Sequence, residues 1–338
     1  MMTLPLMQTI WYVVLIFLIG GSVVLSGSDF GVGVWYLLAR PGDERKRLLA
    51  TVAPFWDGNQ VWLIGVGGAA FAAFPPVYGT VLSGLYPLLI AVLLALILRT
   101  VSIEYAQKAQ APPAQRAWDL TFGLSSTGAV VGLGLLFGNL LAGLPLNERQ
   151  ELPVGFFAPP PALAVALLFL LLVAFHGAVW TGLKAEGPVR QRARRWGLGA
   201  WLAALPLMLG TVVALGLTDP VLGARYQSVP ALWVLPGMAL LALAVAGAAH
   251  VGGRGRVAFG ASAAGLLALV ASAAGGLFPR LVRASGDDAL SLTAHNASSS
   301  LLALEAMLVV VVLILPVVLA YTAWGHWLFG QKAEEPEE

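Results

Sequence analysis

Five carboxylates lie in or beside apolar stretches of this 338-residue chain. Asp29, Asp57 and Glu305 fall within such stretches, and Glu104 and Asp119 stand near the ends of two of them. An ionised side chain at the centre of a bilayer costs about 2.5–3.5 kcal/mol on insertion scales, so it is a candidate for function. Because carboxylates accept and release protons, Asp29, Asp57 and Glu104 are candidates for a proton-transfer route.

The first of these carboxylates belongs to a polar stripe. Ser22, Ser26, Asp29 and Gly33 follow the i, i+4, i+7, i+11 spacing of one helix face. Two hydroxyls, a carboxylate and a gap along one face can order a short water chain. The alternative is that Asp29 is a hydrogen-bonded residue that only fixes helix packing.

The second carboxylate lies in the heptapeptide WDGNQVW, residues 56–62. Gln60 stands three residues after Asp57 and four after Trp56, so it neighbours both on a helix. We expect Asp57 about seven residues inside the end of its span, with Asn59 and Gln60 donating amide hydrogen bonds to its carboxylate. The alternative is again a purely structural role for Asp57.

The elements that carry these residues are transmembrane helices. The chain is 59% hydrophobic and only 11% charged, where a soluble domain carries roughly a quarter charged residues. Apolar runs of about 20 residues recur throughout. They predict an all-α polytopic membrane protein, a single integral-membrane domain over residues 1–338, with nine spans. The spans are approximately 8–39, 50–73, 78–101, 118–141, 161–183, 196–217, 230–249, 256–277 and 298–328.

The basic residues predict the orientation. Fifteen of the 19 Lys and Arg fall in alternate loops and the C-terminal tail, while the opposite loops hold only Arg149, Arg225, Arg280 and Arg283. The positive-inside rule therefore places the N-terminus outside and the C-terminal segment KAEEPEE in the cytoplasm. In this topology Asp29, Asp57 and Glu104 lie in the cytoplasmic half, where a proton-uptake path would begin.

Composition and motifs exclude several classes of site. Cysteine is absent, which excludes disulfides and thiolate ligands. No P-loop, dinucleotide fingerprint or metal-helix motif is present, and the net charge of +2 gives no reason to expect nucleic acid. We expect His176, alone in an apolar run, to be a packing or hydrogen-bonding residue rather than a haem ligand.

Other residues are candidates for contacts between helices or subunits. Gly65, Ala69 and Ala73 form a small-residue row that suits either a subunit contact or ordinary internal packing. Glu305, on the outer side of the last span, is a candidate partner contact. For Glu104, the alternative to proton transfer is an ion pair at headgroup level with Arg99 or Lys108.

Several motifs resemble one family of membrane proteins. The stretch beginning APFWDGNQVW at residue 53 resembles the matching region of subunit II of the cytochrome bd quinol oxidases, as do GSDFGVG at 27–33, FGNLLAG at 137–143, SLTAHNASSS at 291–300 and YTAW at 321–324. The resemblance runs in order from the first span to the last. WDGNQVW is its most specific motif.

The resemblance implies a subunit of a respiratory quinol:oxygen oxidoreductase in a bacterial or archaeal cytoplasmic membrane. In that family a larger, pseudo-symmetric subunit I binds two b-type haems and haem d, and it supplies all the haem ligands. Subunit II would stabilise that partner and help to form a proton route from the cytoplasm for the reduction of dioxygen to water. Some members add a small single-helix subunit or hold a structural quinone here, and the sequence assigns no residues to either.

Individual residues also match positions of the family's motifs. Asp57 matches the aspartate of the family's W-D-G-N-Q-V-W motif, which is implicated in proton conduction, and Glu104 matches a position that is Asp or Glu. Asp29 matches the second Asp of the pattern D-G-F-D-x-G-V-G, whose first Asp is Ser26 here and whose Phe is Ser28. Trp62 matches a tryptophan proposed near an oxygen-access route.

Two other readings stay open. In a secondary transporter, Gly31-Val32-Gly33 would be a helix break near a midplane site. In a purely structural scaffold, every carboxylate would serve packing alone.

Overall fold

The computed structural model describes residues 3–106, 108–109 and 111–329, and these residues form mainly helices. The helices are α1 Leu4–Tyr36, α2 Asp43–Ala50, α3 Trp56–Ala73, α4 Pro75–Gly84, α5 Tyr86–Ala106, α6 Pro112–Ala142, α7 Pro160–Lys184, α8 Gly187–Thr218, α9 Pro220–Ser228, α10 Val234–Val251, α11 Gly255–Leu277 and α12 Leu301–Leu328. Two short strands, β1 Arg280–Val282 and β2 Leu292–Thr293, pair antiparallel in the connection between α11 and α12. The predicted cytoplasmic tail beyond Phe329, with Lys332, lies outside the described residues.

Within the described residues, eight helical segments are each long and apolar enough to cross a membrane. They are α1, α5, α6, α7, α8, α10 with the 3₁₀ turn before it, α11 and α12. Helices α3 and α4 pass the same test only as a pair, bent by 118°. The structure therefore supports the all-α polytopic class with eight spans, or nine if the bent pair counts as one.

The second and third predicted spans need correction. The predicted span 50–73 starts too early. Helix α2 ends at Ala50, a turn follows, and the membrane helix α3 begins only at Trp56. The predicted span 78–101 runs across the break at Leu85 between α4 and α5. Pro75 and Pro76 explain why α3 does not continue: they lack amide hydrogens and are favourable only in the first turn of a new helix.

Helix α1 is the central element of the fold. It packs against α3, α6, α7, α11 and α12. Its closest approach is to α7, where a Cβ atom on Gly31 would lie 2.1 Å from the Val173 carbonyl oxygen and one on Gly177 would lie 2.3 Å from the Gly31 carbonyl carbon. Only glycine at both positions permits this contact. Because α1 is continuous from Leu4 to Tyr36, the helix break expected of a transporter at residues 31–33 is not found.

The connections sort to two ends of the bundle. At one end, Leu144 donates its amide hydrogen to the Arg283 carbonyl at 2.8 Å, and the Arg283 guanidinium lies 2.5 Å from the Asp219 carboxylate. At the other end, α2 is held by the ion pairs Arg45–Asp119 at 2.9 Å and Glu44–Arg192 at 2.7 Å. This sorting agrees with the alternation of the predicted loops, and the orientation of the two ends stays a prediction.

Candidate functional site: a buried carboxylate and an exposed one

The polar stripe of α1 is buried. Ser22, Ser26 and Asp29 are 7%, 3% and 1% exposed. The stripe ends at Gly33, where a Cβ atom would lie 2.2 Å from the Ser126 hydroxyl oxygen of α6. The predicted face therefore exists, and it points into the bundle rather than towards lipid.

Asn59 holds the buried carboxylate. Its side-chain amide donates to Asp29 Oδ2 at 2.9 Å and to the Leu25 carbonyl at 3.2 Å. In return, Ser26 donates its hydroxyl hydrogen to the Asn59 backbone carbonyl at 3.0 Å. Ser28 approaches the other carboxylate oxygen at 3.5 Å, a long contact. The expectation that Asn59 satisfies Asp57 is wrong, because its helical position turns the amide towards α1.

Arg99 is the residue that the sequence analysis missed. The sequence places it near the end of the predicted span 78–101, as a basic residue at the membrane surface, yet it is 1% exposed and buried within α5. Its guanidinium carbon is 4.6 Å from the Phe30 ring centroid and 5.8 Å from that of Phe122, and it interacts electrostatically with Asp29. Its Nε and Nη2 atoms find no hydrogen-bond acceptor among the described residues. The available signal was its place inside the apolar run LLALILRTVSI.

Asp57 lies in the first turn of α3 and is exposed. The expected depth of seven residues is wrong, because the residues before Trp56 form a turn and not a helix. Among the described residues the Asp57 carboxylate makes no hydrogen bond or ion pair. Gln60, the other expected partner, accepts a long hydrogen bond of 3.4 Å from Thr100 instead.

The two tryptophans of the motif differ in burial. Trp56 is half-buried, whereas Trp62 is 4% exposed and packs on α1 at Gly21, where a Cβ atom would lie 2.3 Å from the indole ring. The Trp62 indole N–H is buried without an acceptor among the described residues. The structure thus gives Trp62 a packing role, and its relation to oxygen access stays a prediction.

Glu104 lies apart from the Asp29 site. Its side chain is 52% exposed and pairs with Lys108 at 3.4 Å, so the predicted ion pair forms with Lys108 and not with Arg99, and its position at headgroup level stays a prediction. A more buried acidic group at this end is Asp119, which accepts hydrogen bonds from the Tyr36 hydroxyl at 2.7 Å and from Arg45 at 2.9 Å. This second cluster ties α1, α2 and α6 together.

The histidines are engaged by the protein. His176 Nδ1 lies 2.7 Å from the Ser262 hydroxyl and Nε2 lies 3.1 Å from the Val24 carbonyl, while the ring stacks on Phe259. His250, His295 and His326 each have one ring nitrogen in a hydrogen bond. In the described residues no group of three or more His, Asp or Glu side chains has the arrangement of a metal site.

The candidate contact residues fall into two groups. Ala73 is fully buried and Gly65 faces Leu18 of α1, so at least part of the small-residue row packs inside the chain. Glu305 is half-buried on α12, a helix that the rest of the described chain leaves largely uncovered. The apolar surface of α12 is thus available for another protein or for lipid.

A cavity of about 470 Å³ lies between α1, α3, α4, α5, α6, α7 and α11. Its walls are almost entirely aliphatic and aromatic, and Tyr12, Tyr78 and Arg280 are among the few polar residues that line it. A space of this size and lining suits a long apolar chain.

These features define a polytopic helical membrane protein with a buried carboxylate and a buried guanidinium at the junction of α1, α3 and α5. The chain belongs to the cytochrome bd terminal oxidase subunit II family, whose model matches residues 7–329. The resemblance found in the sequence motifs is thereby confirmed.

Individual relatives agree with this assignment. The chain is 32% identical to the probable cytochrome oxidase subunit 2 of Haemophilus influenzae, covering 96% of this chain and 95% of the relative. It is 31% identical to cytochrome bd-I ubiquinol oxidase subunit 2 of Escherichia coli K12, covering 100% and 98%. It is 30% identical to cytochrome bd ubiquinol oxidase subunit 2 of Bacillus subtilis, covering 98% of each chain.

The fold is also that of a solved structure. A chain of the bd oxidase from Geobacillus thermodenitrificans superimposes with a TM-score of 0.73, at 18% identity, over 96% of this chain and 99% of that one. At 18% identity this match is evidence for the fold only.

Proposed function

We propose that this chain is the haem-free membrane subunit of a quinol:oxygen oxidoreductase, in which it stabilises the haem-bearing subunit and helps to conduct protons from the cytoplasm. Family membership and relatives described as ubiquinol oxidase subunits support the first part. The positive-inside rule supports a cytoplasmic location for the end that carries α2, hence an external N-terminus.

The proposed role in proton conduction is supported by two polar residues near the start of α3, Asp57 and Asn59. An exposed, unpaired carboxylate, Asp57, stands two residues before Asn59, which binds the buried carboxylate of Asp29. Asp57 would take protons at the exposed surface of this subunit. Asp29, supported by Ser22 and Ser26, would hold charge inside the bundle. Glu104, with its Lys108 partner, would lie at the cytoplasmic mouth of the route.

The haems belong to the partner in this proposal. Each of the four histidines has at least one ring nitrogen in a hydrogen bond, and His176 uses both. His176 therefore does not suit haem ligation, and the assignment of the haems to the partner rests on family membership. The two b-type haems and haem d of subunit I would supply the electron transfer and dioxygen reduction, while this chain supplies packing and proton-carrying groups.

The apolar cavity is our candidate site for a structural quinone. Its aliphatic walls fit an isoprenoid tail, and Arg280 and Tyr78 offer polar atoms for a headgroup. Quinone content measured after extraction of the purified complex tests this part: Ala70→Phe, which narrows the cavity, should lower it relative to wild type.

The proton role is tested by Asp57→Asn in the fully haem-loaded complex, with turnover and proton uptake as readouts. Loss of a positioned proton carrier should slow uptake by on the order of 100-fold. Asp43→Asn, which removes an exposed carboxylate of α2 at the same end, is the matched control. If Asp57→Asn turns over and takes up protons like Asp43→Asn, the relay assignment is wrong and the scaffold reading stands.

The transporter reading differs in its requirement for a partner. A transporter would move its solute through this chain alone, without a haem-bearing partner. A reduced-minus-oxidised spectrum of the tagged chain from native membranes distinguishes the two: a haem d band with a larger co-purifying polypeptide supports the oxidase, and a haem-free isolated chain supports the transporter.

A further inference from the structure

Four exposed arginines lie at the same end of the bundle, where α10 ends and α11 begins beside the N-terminal part of α8. Arg194 and Arg195 lie in the N-terminal part of α8, Arg254 immediately precedes α11, and Arg256 lies in its first turn. Within the described part of the chain none of the four forms an ion pair, in contrast to Arg192, which pairs with Glu44. We call these four residues the arginine cluster.

The two halves of the arginine cluster are held together by direct contacts. Arg194 Nη2 donates to the Val251 carbonyl at 2.5 Å, and His250 Nε2 lies 3.1 Å from the Arg194 carbonyl oxygen. The guanidinium crosses the turn at Gly253, whose φ of +74° favours glycine. A Cβ atom at Gly253 would lie 3.7 Å from Arg194 Nη2. The turn that leads into Arg254 and Arg256 is thus fixed against α8.

Apolar surface begins next to the arginine cluster. Leu198, Val251 and Val257 are 37%, 54% and 52% exposed. One turn below Arg195 and Arg256 stand Gly199 and Gly260, and a Cβ atom at either position would meet nothing within 4 Å. This arrangement complements a phospholipid. The positive charge at the helix ends would bind the phosphate, and the apolar surface beside it would contact the acyl chains.

We propose that the arginine cluster binds the headgroup of an anionic phospholipid whose acyl chains lie on the exposed surface of α8, α10 and α11. Guanidinium groups bind phosphate oxygens through paired, charge-assisted hydrogen bonds. Basic pockets between transmembrane helices are known to take anionic headgroups. Among residues 3–106, 108–109 and 111–329 these four arginines have no carboxylate partner, which leaves their charge available to such a ligand. This site is separate from the proton route and does not depend on it.

The test counts phosphatidylglycerol and phosphatidylcholine retained by the purified complex after exchange from mixed nanodiscs, by native mass spectrometry. The variant is Arg195→Gln/Arg256→Gln, which spares the Arg194 bond to Val251. Lys46→Gln/Arg116→Gln is the control, because it removes two exposed positive charges from the same end. We expect wild type and control to prefer phosphatidylglycerol, and the variant to lose roughly tenfold or more of that preference.

Further arms keep the test decisive. Arg195→Lys/Arg256→Lys retains the charge and should restore most of the preference, and the wild-type preference should fall as salt is raised. Equal retention by the variant and the control overturns the proposal, as does a wild type without preference. A preference that appears only after residues 330–338 are removed also overturns it, because the acidic segment EEPEE would then be the occupant.

Discussion

At the residue scale, the central feature is a carboxylate and a guanidinium that are both removed from solvent. Asp29 and Arg99 are each 1% exposed and come from different helices. Burial of an unpaired charge is strongly unfavourable, and two contributions offset part of this cost: the electrostatic attraction between the two groups and the hydrogen bond from Asn59 to Asp29. The stacking of Arg99 on Phe30 adds a cation–π contact that keeps the guanidinium inside the bundle.

Arg99→Met should therefore destabilise the subunit by about 3–5 kcal/mol, because it leaves the Asp29 carboxylate buried without an opposite charge. Adding Asp29→Asn should recover most of that loss. The measurement is thermal unfolding of the purified complex, with haem content as a check on assembly. Lys108→Met, which breaks an exposed ion pair, should cost less than about 1 kcal/mol. Equal effects of Arg99→Met and Lys108→Met would show that the buried charges are not coupled.

At the scale of elements, the approach of α1 to α7 determines where the polar stripe lies. Gly31 and Gly177 face each other with no room for a Cβ atom on either. This contact brings α1 close enough to α7 for His176 to reach the Val24 carbonyl. The stripe on α1 is then turned towards α3 and α6.

Gly177→Ala should force α1 and α7 apart and cost about 1–3 kcal/mol or more, as overpacking does in other cores. Gly182→Ala is the control on the same helix, since a Cβ atom there meets nothing within 4 Å. Alanine favours helix over glycine, so the control should be neutral or slightly stabilising. The measurement is thermal unfolding of both variants. Equal stability of the Gly177→Ala and Gly182→Ala proteins would contradict the close contact between α1 and α7.

The connection between α11 and α12 should respond to acid. The hydrogen bonds from Arg280 lower the pKa of Asp288, and burial opposes this only in part. A carboxylate with a lowered folded-state pKa stabilises the loop above its unfolded pKa, near 3.9, and that contribution is lost as pH falls through the folded value. Hydrogen exchange of residues 280–293, corrected for intrinsic rate, should rise below about pH 4. Asp288→Asn should remove this step, and an unchanged profile would exclude the ion pair as its cause.

At the scale of the whole molecule, α12 is the element least covered by the rest of the chain. It is anchored near its ends, where Trp11 donates to the Leu304 carbonyl at 3.0 Å and Lys184 to the Phe329 carbonyl at 2.6 Å. Between these anchors most of its large apolar side chains are exposed. The exposed apolar side chains of such a helix need contact with lipid or with another subunit to be shielded from water.

Leu313→Asn on α12 should reduce co-purification of the haem-bearing partner severalfold, because an amide in a packed interface loses its hydrogen bonds to water. Leu241→Asn on α10 is the matched control, since both leucines are 67% exposed. The readout is haem per mole of tagged chain after mild purification. If both variants retain haem equally, α12 faces lipid and the partner binds elsewhere.

The sequence by itself determined the class of protein and most of its spans. Apolar runs and the distribution of Lys and Arg are local properties, because the bilayer acts as a solvent on each segment separately. The motif around Asp57 also identified the family without any contact between distant residues. The buried face with Ser22, Ser26 and Asp29 followed from helical spacing alone, since i, i+4 and i+7 positions share a face in any helix.

Only the tertiary structure decided which groups meet. Asn59 binds Asp29 rather than Asp57, and Arg99 is buried rather than at the membrane surface, because both outcomes depend on how the helices pack against one another. The 118° bend between α3 and α4 likewise depends on what surrounds the two prolines. Spacing within one helix gives the relative directions of its side chains, but the partner of each side chain is set by interhelical contacts. Those contacts join residues far apart in the chain, and no local pattern encodes them.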